Sequence, residues 1–163
     1  MKNGLRKIYG VLGNPIQHSL SPVMHNAAFE AAGVNALYVA FESSDLKGSI
    51  GGMRALGIRG MSITIPFKTS VIPYLDELDP LAERIGAVNT ILNENGRLKG
   101  YNTDGLGAMK ALEHMMDIAG KRCMLVGAGG AARGIGFMAR EMGMELVVAN
   151  RSMDRGLALA DFL

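Results

Sequence analysis

Tryptophan is absent from this 163-residue chain, cysteine occurs once, histidine three times and proline five times. A lone cysteine, Cys123, excludes an internal disulfide framework and suits a reducing cytoplasm. It sits in an apolar run expected to form a buried strand, which makes it an inert core thiol rather than a nucleophile. No run of 18 apolar residues occurs, which excludes a membrane-spanning helix. Aromatic residues make up 6% and are not interleaved with a basic run, so no nucleic acid partner is expected. No metal is expected either. The basic start, Met1-Lys-Asn-Gly-Leu-Arg-Lys7, leads into alternating residues rather than an apolar core and reads as no targeting segment.

Glycine is what the chain has in excess: 22 residues, about twice ordinary usage. Tight turns and close backbone approaches account for such a number. Charge is nearly balanced, yet unevenly placed. Residues 1–118 carry eleven basic and eleven acidic side chains, residues 119–163 six and four, so the whole excess of two lies in the last segment.

Strand-like and helix-like stretches alternate between these glycines and prolines. Lys7–Leu12, Ala36–Glu42 and Gly60–Ile65 read as strands, and Pro22–Ala32 and Asp45–Leu56 as helices. Short helical pieces follow at Lys68–Leu75 and Asp79–Ile85. Val88–Leu92 and Arg97–Tyr101 flank Asn95-Gly96, a hairpin signal. A helix from Thr103-Asp104 to about Met116 leads to a strand ending at Val126. Then come a helix over Ala131–Met142, a strand over Glu145–Ala149 and a last helix from Ser152. The alternation predicts an α/β fold: a substrate-binding domain with a mostly parallel sheet over residues 1–103, an interdomain helix over 104–118, and an incomplete Rossmann-type domain over 119–163.

Four constellations carry chemistry. Gly127-Ala128-Gly129-Gly130-Ala131 joins a strand to a helix, where glycines admit a pyrophosphate to the helix N-terminus. Asn150-Arg151-Ser152 ends the next strand, where an NAD site places an acid for the ribose hydroxyl; Asn and Arg favour a 2′-phosphate and hence NADP. Ser152 either binds phosphate or caps the last helix. Ser19 and Ser21 point the same way in an extended segment and suit a carboxylate, the competing reading being Ser21 as a plain helix cap. Thr64 and Lys68 fall at the C-terminal end of a strand, where ligands of open α/β sheets gather. A lysine in a closed cleft there can exchange protons, and Asp104 beside it would hold its ammonium. A solvated lysine and an Asp104 or Thr103 N-cap are the plain alternatives. Asn89 adds an amide that both donates and accepts.

Ser19-Leu-Ser-Pro-Val-Met-His-Asn26, Ser62-Ile-Thr-Ile-Pro-Phe-Lys68, Gly86-Ala-Val-Asn-Thr90, Gly100-Tyr-Asn-Thr-Asp-Gly105, Gly127-Ala-Gly-Gly-Ala131 and Asn150-Arg-Ser152 together closely resemble the shikimate dehydrogenase family. The resemblance implies NADPH-dependent reduction of 3-dehydroshikimate to shikimate in aromatic amino-acid biosynthesis. It also implies that Ser19 and Ser21 hold the substrate carboxylate, and that Thr64, Lys68, Asn89 and Asp104 line the ring hydroxyls. Lys68 would protonate the C3 oxygen with Asp104 as its partner. His18, His25 and His114 have no comparable role, and His25 is expected to pack or to hydrogen-bond. Ser152 replaces the family's common threonine but keeps the hydroxyl. Because the family continues well beyond residue 163, a fragment with impaired turnover is expected. The alternatives are an NAD-using quinate/shikimate dehydrogenase and a non-catalytic shikimate-binding module. The strand Glu145–Ala149 lacks neighbours, so the chain is expected either to be disordered after about residue 120 or to self-associate through that edge.

Overall fold

The computed structural model describes residues 5–163 and contains two sheets, each fed by helices. The basic stretch beginning at Met1 lies partly outside the described residues.

Strand β1 (Lys7–Gly13) is followed by helix α1 (Ser21–Ala31), strand β2 (Ala36–Glu42), helix α2 (Leu46–Ala55) and strand β3 (Gly60–Ile63). β1 runs parallel to both β2 and β3, as expected from helical crossovers. Asp45 caps α2, its carboxylate accepting from Gly48 N at 2.8 Å. Strand β3 stops at Ile63, two residues short of the expected Ile65, although Thr64 N still donates to Leu12 O.

The stretch expected as a helix over Lys68–Leu75 instead forms turns and a short 3₁₀ turn at Ile72–Tyr74, with Pro73 fixing its conformation. Strand β4 (Glu77–Leu78), absent from the sequence expectations, follows it. Helix α3 (Pro80–Ile85) is capped by Asp79 and ends at Gly86, φ +67°. Strands β5 (Thr90–Glu94) and β6 (Arg97–Tyr101) form the expected hairpin, with positive φ at both Asn95 and Gly96. The six-stranded order is β2-β1-β3-β5-β6-β4, with β5 antiparallel to its two neighbours and the other pairs parallel.

One core gathers Leu12, Met53, Ile63, Val71, Val88, Ile91 and Leu98 between this sheet and its helices. Asn93 is buried in it and fully used: its amide donates to Ile58 O and Met53 O and its oxygen accepts from Gly96 N. That satisfaction is what makes a buried amide tolerable.

Helix α4 (Asp104–Glu113) leads to strand β7 (Arg122–Val126), helix α5 (Gly130–Glu141), strand β8 (Glu145–Ala149) and helix α6 (Met153–Phe162). β7 and β8 form a parallel two-stranded sheet. Residues past 120 therefore carry regular structure rather than the disorder held open above. The apolar side chains of α4 join this unit, with Met109 and Ile118 buried against Ala139, Ile135 and Met138. β7 is not the buried strand expected, however. Met124 and Val126 are 66% and 82% exposed because they lie on an uncovered face of the two-stranded sheet, and Cys123, on the opposite face, is only half-buried.

Candidate active site

A cleft of about 720 Å³ opens at the C-terminal ends of β1 and β3 and is lined by Ser19, Ser21, Thr64, Lys68, Asn89 and Asp104, together with His18, His25 and Ser62. All six residues expected at the substrate site thus meet in one place. Three parts of the chain bring them there. The β1–α1 connection supplies the serines, the end of β3 supplies Thr64 and Lys68, and the ends of the β5–β6 hairpin supply Asn89 and Asp104.

Ser21 does not cap its helix. Leu20 occupies the N-cap position of α1 without a side-chain hydrogen bond, while Ser21 N donates to Ser19 Oγ at 3.3 Å. Both serines face the cleft at the start of a helix whose first-turn amides lack intrahelical acceptors. Thr64 lies against Gly13; a Cβ there would come within 2.4 Å of Thr64 Cγ2, so glycine lets the threonine take its place.

The lysine is neither solvated nor alone. Lys68 Nζ lies 2.5 Å from Asp104 Oδ2, with the two side chains 14% and 22% exposed. Asp104 Oδ1 accepts from Asn89 Nδ2 at 2.8 Å, so each carboxylate oxygen has its own donor. Asn89 is itself held by Thr103, whose backbone N–H donates to Asn89 Oδ1 at 3.0 Å. Thr103, expected as a helix cap, takes the N-cap position of α4 but makes no capping bond with its hydroxyl, which meets the Asn89 amide instead. Asp104 is the first residue of the helix rather than its cap, and its charge near the N-terminus is also favourable to the helix dipole. Backbone bonds fix the scaffold: Val88 N donates to Lys68 O and Ile63 N to Asn89 O, both at 2.7 Å.

On the far side, Ser62 on β3 and Thr64, one residue past the strand's end, line the cleft at a spacing of two. That alternation was legible, but a serine inside a strand carries no signal of its own. Tyr38 OH donates to Ser62 Oγ at 2.7 Å, and burial pushes the phenol's pKa up. His25 packs flat on Tyr38, ring centroids 4.3 Å apart, and so does pack as expected while also bordering the cleft. His114 lies away from it, its Nδ1 2.7 Å from Lys110 O.

The glycine loop adjoins the same cleft. Gly127 has φ +106°, and a Cβ at Gly127 or Gly129 would meet open space, so the loop leaves room over the start of α5. Gly129 caps α5 without a side chain, leaving the first amides of that helix to a ligand. Gly127, Ala128, Gly129, Gly130 and Ala131 thus form a cradle that fits a pyrophosphate. At the end of β8, Asn150 Nδ2 donates to Ser152 O at 2.7 Å, Arg151 is exposed, and Ser152 occupies the N-cap of α6 without a side-chain bond. This arrangement leaves an exposed cation, and no acid, in the loop after β8. Among the described residues no cluster of His, Cys, Asp and Glu could hold a metal ion.

Asn102 is the residue the sequence did not assign. It is buried, its amide donates to Ala87 O at 3.0 Å, and its oxygen accepts from Asp104 N at 3.1 Å. It thereby orients the first peptide of α4.

Residues 11–91 match the model of the shikimate dehydrogenase substrate-binding domain. Along 160 residues the chain is 52% identical to the shikimate dehydrogenase (NADP(+)) of Moorella thermoacetica, covering 96% of this chain and 54% of that protein. The chain belongs to the shikimate dehydrogenase family. It is 47% identical to the shikimate dehydrogenase (NADP(+)) of Pyrococcus furiosus, covering 99% of this chain and 60% of that one. The shikimate dehydrogenase structure from Aquifex aeolicus superposes with a TM-score of 0.95 at 40% identity, covering all of this chain and 62% of that one. The Thermus thermophilus enzyme, solved with NADP(H) and shikimate, gives 0.88 at 42% identity over 96% of this chain and 60% of that one. The chain thus spans between about half and three-fifths of the length of these shikimate dehydrogenases. The α/β fold and mostly parallel sheet expected from the sequence agree with these structures.

Proposed function

We propose that this chain carries the substrate site, and the first strands of the cofactor site, of an NADP-dependent shikimate dehydrogenase. The observation that carries the reading is the Lys68–Asp104 pair, held by Asn89 in a cleft that two serines also line. Residues 1–103 act as the substrate domain, 104–118 as the connecting helix and 119–163 as the beginning of the cofactor domain.

Ser19 and Ser21, at the start of α1, suit the ring carboxylate, whose charge the helix end favours. Thr64, Asn89 and Asp104 offer acceptors and donors to the ring hydroxyls. Gly127–Ala131 would hold the pyrophosphate of NADP(H) and Arg151 its 2′-phosphate, and the bound cofactor would supply the hydride chemistry. Lys68 donates its proton to the C3 oxygen as that carbon is reduced, and the neutral amine regains a proton from solvent. Asp104 keeps the ammonium aimed and accepts a hydrogen bond from a neighbouring hydroxyl. Water is displaced from the cleft by the ring itself.

Calorimetric titration of shikimate into the chain should give saturable heat, weakened in Asp104→Asn; no heat from the wild type would overturn the reading. Arg151, with no acid beside it at the end of β8, favours NADP over an NAD-using quinate/shikimate dehydrogenase. A non-catalytic shikimate-binding module is the second reading, favoured by the uncovered edges of β7 and β8. Shikimate binding without any heat from NADPH would support it. Self-association through the open strand edge is part of this proposal, with Met124, Val126 and Val147 exposed on the adjoining sheet face, and sedimentation equilibrium tests it. A cytoplasmic location belongs to the same proposal: the lone cysteine is unpaired, and among the described residues no helix is long and apolar enough to cross a membrane.

A further inference from the structure

Gly130, the first residue of α5, lies directly on the side chain of Lys68. A Cβ at position 130 would sit 2.9 Å from Lys68 Cβ, 3.4 Å from Cδ and 3.6 Å from Cγ. The closest atom is the one nearest the lysine backbone, and that backbone is pinned by Val88 N donating to Lys68 O at 2.7 Å. Lys68 therefore cannot relieve the clash by swinging only its tip. At the other end its Nζ is 2.5 Å from Asp104. The aliphatic stem is clamped between the first turn of the glycine-loop helix and the carboxylate that begins α4.

We propose that Gly130 is a positioning residue for Lys68: the bare backbone of the phosphate-type loop forms one wall of the slot that holds the ammonium against Asp104. The inference rests on the assignment of Lys68 to the substrate site, and it gives the third glycine of the loop a task besides admitting phosphate. It also couples the two sites. Whatever moves the start of α5 moves a wall of the lysine slot, so ligands at the loop and in the cleft affect each other reciprocally.

Gly130→Ala tests this, with Gly107→Ala on α4 as the control, since a Cβ at Gly107 meets nothing within 4 Å. Heteronuclear NMR of the lysine ammonium groups should show the Lys68 signal, assigned by its loss in Lys68→Ala, displaced in Gly130→Ala and unmoved in Gly107→Ala. Shikimate affinity should fall about tenfold or more as a charge-assisted contact is misplaced. In a Lys68→Gly background, which removes both the ammonium and the Cβ that position 130 would meet, Gly130→Ala should cost no further affinity. An unmoved Lys68 signal, or the same loss of affinity with and without Lys68, would overturn the proposal. Should Gly130→Ala not fold, an NOE in the wild type between the Gly130 α-protons and the Lys68 β-protons decides; its absence overturns the proposal. If wild-type shikimate heat is absent while the lysine signal still moves in Gly130→Ala, the substrate assignment fails and the positioning role stands.

Discussion

Gly105 on α4 faces the carbonyl of Gly134 on α5 so closely that a Cβ at position 105 would lie 2.2 Å from that oxygen. Backbone thus meets backbone at the crossing of the two helices, one residue after Asp104. Met138, whose Cγ would lie 2.6 Å away, can rotate aside, but the Gly134 backbone cannot, and overpacking of this kind costs about 1–3 kcal/mol. Urea unfolding followed by circular dichroism should show that loss, and shikimate affinity should fall with it as Asp104 is driven away from Lys68. A Gly105→Ala protein as stable as the wild type would mean that the helices separate freely.

Asp76 gives a pH prediction. Its carboxylate accepts from Arg54 at 2.7 Å and from Leu98 N at 2.6 Å, and the Arg54 hydrogen bond, then the Leu98 amide, hold its pKa below the ordinary value. The folded chain therefore takes up a proton at Asp76 less readily than the unfolded chain. Its stabilising contribution is whole above the ordinary carboxylate range and drains away as pH falls through the lowered value. Asp76→Asn should be less stable near neutrality, and the difference from wild type should shrink toward about pH 2. Denaturation midpoints across that range check it; a difference that grows with acidity would contradict it.

Tyr38 should behave in the opposite sense at high pH. Burial raises its pKa while the Ser62 hydrogen bond works against the rise. A raised folded value means that its contribution is intact below the ordinary phenol range and lost as pH climbs through the shifted one. Ultraviolet titration should find one of the four tyrosines ionising late, and Tyr38→Phe should remove that component. Simultaneous ionisation of all of them would refute the assignment.

Arg151 is the expected determinant for a ribose phosphate. Arg151→Glu should weaken binding of 2′-phosphoadenosine nucleotides about tenfold or more, the scale of a charge-assisted hydrogen bond. It should leave shikimate binding unchanged. Equal affinity of wild type and variant for the 2′-phosphate would remove Arg151 from the site.

Much of this was legible in the residues. Proline at the start of α1, glycine past its end, Asn95-Gly96 between two strands and glycines after β7 are local signals with local causes, and each marks its element to within a few residues. The motif residues of the cleft were also legible, because chemistry requires those types. The stretch after Lys68 was misread because its apolar spacing suits a helix, while tertiary packing of Val71 and the proline at 73 hold it as turns. Strand β4 is two residues long and exists only through pairing with β6, so no local pattern could announce it. The role of Asn102 and the contact of Gly130 with Lys68 depend on which elements the fold brings together, and spacing along the chain carries no trace of that.

Every residue lining the cleft lies between Val11 and Asp104, and the last long strand of the six-stranded sheet ends at Tyr101. During synthesis, where N-terminal units fold first, the sheet and its carboxylate are complete once residue 104 clears the ribosome. The nascent cleft then waits, with its lysine walled on one side only, until a further 26 residues (130 − 104) bring Gly130 into place.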